Sequence, residues 1–87
     1  MLFMSVYTTE PGKRDQTFKK RIEKGISFPA GVKVIGEWSD LGGGRGFIVT
    51  EAQDPKSVMQ ATLAWSDLLK IEIVPVIETE ELMKLVK

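Results

Sequence analysis

The sequence predicts an α+β fold, a two-layer sandwich of βαββαβ order with a short C-terminal helix, and three observations carry that prediction. Gly31 to Ala52, GVKVIGEWSDLGGGRGFIVTEA, reads as two strands closed by a glycine turn. A strand-like and a helix-like run precede it, and a helix-like and a strand-like run follow it. Finally, the first strand is apolar on both parities, which demands cover on both faces of the sheet it joins. Strand, helix, strand, strand, helix, strand is the ferredoxin-like split βαβ pattern. It sets both helices on one face of an antiparallel sheet, strand one beside strand three and strands two and four at the edges.

In order along the chain, Leu2 to Thr8 puts Leu2, Met4 and Val6 on one side and Phe3 and Tyr7 on the other, as a central strand does. Thr9-Glu10-Pro11 then predicts a helix start, with proline at the first helical position and Thr9 or Glu10 as cap, running to about Lys24. Phe18 and Ile22 form its narrow apolar stripe. Six basic residues (Lys13, Arg14, Lys19, Lys20, Arg21, Lys24) stand against two acidic ones, Asp15 and Glu23. An anion patch and a solvated helix face with cations toward its C-terminus both fit, and the second is the simpler. Gly25 ends the helix, and Phe28-Pro29-Ala30-Gly31 turns into the hairpin.

In the hairpin, Val32, Val34 and Gly36 alternate with Lys33, Ile35 and Glu37 up to Trp38, and Gly46 to Thr50 has the same strand-like, β-branched character. Gly42-Gly43-Gly44 permits a tight or bulged reversal between them. A phosphate cradle would need a helix directly after the glycines, whereas Phe47 to Thr50 is strand-like. Asp54-Pro55 is the clearest helix start, a carboxylate cap followed by a proline preset for the first turn. Val58, Thr62, Trp65 and Leu69 then recur at helical spacing. Lys70 to Glu78 is the last strand, and Pro75 inside it assigns it to a sheet edge. Thr79 to Lys87 has acids first and lysines last, the charge order of a short helix. That helix is too short to stand alone, so Leu82, Met83 and Val86 need apolar surface on this subunit or another.

At 87 residues the chain is one domain, residues 1–87, of a size that buries only about 60% of its unfolded surface and gains from self-association. Hydrophobic content of 43% and charged content of 28% fit a folded soluble protein, not a membrane span. With zero formal net charge, the whole surface offers nucleic acid or an anionic membrane no attraction. The absence of cysteine and histidine removes thiolate chemistry, the commonest general base and the usual zinc or haem ligands. No cofactor and no metal are therefore expected. The N-terminus lacks a signal-peptide pattern, and the expected location is cytoplasmic. The sheet face opposite the helices is expected to carry Phe3, Tyr7, Phe47, Val49, Val74 and Val76, too much apolar surface for a soluble monomer, so the expected partner is a second copy.

GVKVIGEW, GRGFIVTEA and WSDLLKIEIVPVIETEE resemble a family of short prokaryotic proteins, the domain-of-unknown-function family 3303, over nearly the whole chain. The resemblance implies a dimeric α+β barrel in which two sheets pack face to face, with a cleft between each sheet and its helices. It implies no activity. The family often has histidine after the tryptophan of strand two, where this chain has Ser39.

Trp38 and Trp65 are candidates to line a ligand cleft, or else core residues; Tyr7, Arg45 and Glu51 could anchor a small apolar or amphipathic molecule there. A cofactor-independent oxygenase or isomerase, by analogy of fold alone, would have to draw on Tyr7, Asp40, Arg45 and Glu51, with Glu51 as base and Arg45 as oxyanion partner. RNA binding is the third class. Arg45-Gly46-Phe47 matches the opening of the RNA-recognition strand motif, but Val49 and Ala52 stand where aromatics belong.

Overall fold

The computed structural model describes residues 1–86 and arranges them as β1 (Leu2–Thr9), α1 (Arg14–Lys24), β2 (Lys33–Ser39), β3 (Arg45–Glu51), α2 (Pro55–Leu63), β4 (Leu69–Val76) and α3 (Thr79–Leu85). Lys87, the last residue of the expected tail helix, lies outside the described residues. The strands form one antiparallel sheet in the order β2-β3-β1-β4. β1 is central beside β3, and Pro75 falls on an edge strand, as its missing N–H requires.

The β2–β3 hairpin closes as its sequence dictates. The Asp40 N–H donates to the Arg45 carbonyl at 2.8 Å, and the Gly43 N–H returns to the Asp40 carbonyl at 2.8 Å. The Asp40 carboxylate also accepts from the Gly42 N–H at 3.1 Å, an Asx turn. Further along, the β2–β3 register shifts between Val34 and Gly36, leaving a bulge at Ile35. α2 starts where expected: Asp54 accepts from the Lys56 N–H at 2.9 Å and Pro55 takes the first helical position.

Four details differ from the sequence reading. First, α1 starts at Arg14, because Pro11 and Gly12 form a turn in which Gly12 adopts φ 79°, a left-handed conformation that glycine takes at no steric cost. The Glu10 N–H is meanwhile spent on the Leu68 carbonyl at 3.0 Å, so the end of β1 is tied to the turn before β4. Second, the stripe expected to bury α1 stays wet: Phe18 is 45% and Ile22 84% exposed, and Thr17 is the residue α1 buries. Lys20, one of the six basic residues counted for this helix, donates to the Ala64 carbonyl and lies 4.6 Å from the centroid of the Trp65 ring, not on a wholly solvated face. Third, α2 stops at Leu63, so Trp65 sits in the turn that follows the helix. Fourth, the parity of β1 is the reverse of the one supposed. Phe3, Ser5 and Tyr7 pair with Thr50, Ile48 and Gly46 on the helix side, while Leu2, Met4 and Val6 share the open face with Val49, Phe47, Val74 and Val76.

Two small clusters make up the core on the helix side. One gathers Phe3, Ala52 and Val58 with Val32 and Ile73; the other gathers Trp65, Leu68 and Leu69 with Tyr7, Ile26 and Ile71. The hydroxyls of Thr50 and Ser5 are buried in this layer without a hydrogen-bond partner among the described residues. A shut-in hydroxyl of that kind costs on the order of 1–3 kcal/mol. Replacing Thr50 by the same shape without the oxygen removes the cost, so Thr50→Val is expected to raise unfolding stability in urea by about 1 kcal/mol. A loss of stability would show that the hydroxyl is satisfied.

Candidate functional site

Beside the cluster built on Trp65 and Leu69 the helix layer does not close, and a cleft of about 480 Å³ opens there. Its floor is the helix side of the sheet, with Ser5, Tyr7, Ile48 and Ile71; α1 contributes Thr17, Phe18 and Arg21, and α2 contributes Ala61 and Thr62. Ile26 and Phe28 close one part of the wall, Trp65 and Leu69 another. The cleft exists because α1 is short, starts late and buries a threonine where a large apolar residue would have filled the space.

One polar constellation stands in this mostly apolar wall. Arg21 on α1 grips Glu37 on β2 with two parallel hydrogen bonds of 2.7 Å each, and the Tyr7 hydroxyl on β1 donates to the same carboxylate at 3.1 Å. A two-pronged guanidinium–carboxylate bond fixes orientation as well as charge. Tyr7 reaches Glu37 only by lying across β3 at Gly46: a Cβ there would stand 2.0 Å from the tyrosine ring. The glycine is thus a seat for the phenol. Gly36 has the same relation to Trp38 on the open face, where its Cβ would meet the indole at 2.6 Å.

Burial and the adjacent Glu37 carboxylate push the Tyr7 phenol up to about 12, so at neutral pH it is a proton donor and not a base. The Arg21 guanidinium holds the Glu37 carboxyl below the usual glutamate range. The Asp40 carboxyl is held low as well, first by the Gly42 N–H and then by Arg45.

The structure disperses the residues nominated from sequence. Tyr7 and Trp65 line the cleft. Arg45 borders its mouth, but its guanidinium turns away, bonding Asp40 at 3.2 Å and covering the Phe47 ring at 5.7 Å. Asp40 belongs to the hairpin turn, and Trp38 stands 57% exposed over Gly36 on the far face of the sheet. Glu51 edges a separate open hollow with Met1, Lys33 and Asp54. Six residue steps along β3 set Glu51 about 20 Å from Arg45, so the two cannot share a substrate as base and oxyanion partner. Arg21 and Glu37 were missed, since their partners are remote in sequence. The one available signal was strand parity, which puts Glu37 on the same sheet face as Tyr7. Among the described residues no group of acidic side chains comes together to hold a metal ion, and no helix is long and apolar enough to cross a membrane.

These features define an α+β domain of βαββαβ order with a sheet–helix cleft and a C-terminal helical appendage. The chain belongs to the family described as Domain of unknown function (DUF3303), whose model matches residues 1–87. Neither the curated proteins nor the solved structures yielded a match.

Because Tyr7 is the chain's one tyrosine, absorbance at 295 nm reports it alone. The phenol is expected to titrate near 12 in the folded protein, and Glu37→Gln or Gly46→Ala to bring it back toward 10. A folded-state value raised above the unfolded one means that stability is fully present below pH ~10 and declines as pH rises toward ~12. The depressed Glu37 carboxyl adds the opposite arm, stability lost as acid protonates it. A wild-type phenol titrating near 10 would place Tyr7 outside this constellation.

Proposed function

We propose that this chain is a homodimeric ferredoxin-like domain of the dimeric α+β-barrel kind, which binds a small apolar or amphipathic molecule in the sheet–helix cleft. The cleft carries the reading. Its volume of about 480 Å³ falls within the range of small-molecule sites, and its wall combines Phe18, Phe28, Trp65 and Ile71 with a single cluster of oriented polar groups. Arg21 and Glu37 cancel each other's charge, and Tyr7 spends its proton on Glu37. The site therefore suits a ligand with an apolar body and a neutral hydroxyl or carbonyl end that hydrogen-bonds at the edge of the ion pair without breaking it. The dimer is supported by the opposite face. Leu2, Met4, Val6, Phe47, Val49, Val74 and Val76 run together across β3, β1 and β4 on the face away from the cleft, half-buried apart from the exposed Val74.

Two measurements test the two halves. 2-Naphthol, a neutral apolar probe with one hydroxyl, is expected to bind with sub-millimolar affinity by titration calorimetry, and Ala61→Trp, which fills the cleft from α2, to abolish its binding. Binding unchanged in Ala61→Trp, or none in the wild type, rejects the cleft as the site. Light scattering is expected to give twice the mass of the chain at micromolar concentration, and Val6→Glu on the open face to halve it. A monomeric wild type would reject the dimer and leave the face free for another partner, single-stranded RNA included.

A further inference from the structure

We infer that α3 is a clasp, an arm of each chain that crosses to the second copy and completes the dimer interface. The inference rests on the dimer reading above and adds to it the part of the chain that makes the dimer stable.

On its own subunit α3 buries none of its described residues, and Leu82, Met83, Leu85 and Val86 are all more than half exposed, as is Ile77 just before it. Leu82, Leu85 and Val86 are spaced at i, i+3 and i+4, so they form one apolar stripe, with the Glu81–Lys84 ion pair at 3.2 Å to the side. Seven residues of helix do not hold together in water without a surface to lie on. The dimensions agree that the arm leaves the body. The Cα radius of gyration is 14.2 Å, where a compact chain of this length has about 12 Å.

The second copy is singled out as the occupant by area and by reach. Four strands about 4.8 Å apart, seven or eight residues long at about 3.3 Å per residue, cover a footprint on the order of 450–500 Å². A stable interface takes about 800 Å² of accessible surface from each partner, a larger patch than this flat outline. The apolar stripe of α3 is surface of the right kind to supply the remainder. It can also get there: facing sheets stand about 10 Å apart, while two extended residues after β4 and seven helical ones span roughly 17 Å. The arm and the sheet face belong to one chain, so a two-fold axis satisfies both arms at once.

The test uses the full-length chain with Leu82→Glu and Leu85→Glu together, at positions whose exposure leaves the subunit's own packing untouched. Sedimentation equilibrium is expected to show the wild type as a dimer and the double variant with a dimer dissociation constant raised at least 100-fold, the far-ultraviolet strand signal being unchanged. A wild-type dimer with an unaltered constant in the variant overturns the clasp and leaves the dimer standing, whereas a monomeric wild type overturns both. A second measurement does not depend on weakening the complex. Since the chain has no cysteine, a spin label on Met83→Cys, beside the stripe and not in it, mixed with ¹⁵N-labelled wild-type chain, is expected to broaden amide signals of the isotope-labelled copy's sheet. Absence of broadening in a mixed dimer also overturns the clasp.

Discussion

A strand that is apolar on both of its sides cannot rest against water on either, and β1 is such a strand. Its odd-numbered Phe3 and Tyr7 meet the helix layer, and its even-numbered Leu2, Met4 and Val6 look out of the other face. Everything else in the molecule answers that demand. β3 and β4 flank it, α1 and α2 roof one side, and Trp38 lies flat over Gly36 on the other, covering only its own edge of the face. The hydrophobic effect thus fixes the position of β1 in the sheet, and with it the register that carries Tyr7 to the site.

The helix layer is a thin roof. α1 brings one buried threonine and α2 one fully buried valine, so the interior is two clusters, with a cleft beside the one built on Trp65, instead of a single core. In a chain this short that arrangement sacrifices burial, which is the term that holds small domains together. What the protein obtains is a preformed concavity with an oriented polar group inside it. The Tyr7–Glu37–Arg21 constellation joins β1, β2 and α1, and the hydroxyl arrives there only because β3 lacks a side chain at Gly46. Lys20, set between the Ala64 carbonyl and the Trp65 ring, ties α1 to the far end of the same roof.

Much of this was legible in the sequence where the cause is local. The hairpin was readable from Gly42 to Gly44, the second helix start from Asp54-Pro55, and the edge position of β4 from Pro75, because each rests on backbone chemistry that one or two residues decide. The start of α1 was misread since Pro11 serves a turn as readily as a helix, and the choice was made by Gly12 and by a remote carbonyl at Leu68. The side on which Phe3 faces could not be read from β1 alone, as a strand apolar on both parities carries no label for inside. The site followed the same rule. Tyr7 and Trp65 could be nominated by type, but Glu37 is thirty residues from Tyr7 and sixteen from Arg21, so their meeting depends on strand order and register together.

Both borders of the sheet carry a defect that a central strand would not tolerate. On β4 the ladder with β1 runs unbroken through Phe3 and Pro75, so the proline nitrogen faces outward and leaves the outer row one donor short. On β2 the extra residue at Ile35 twists the opposite border away from flatness. An incoming strand therefore finds no continuous template on either side, and the route to open-ended fibrils is obstructed at both borders. A small domain with one sheet face left without a helix layer is in this way kept from lateral polymerisation, which has no natural stop.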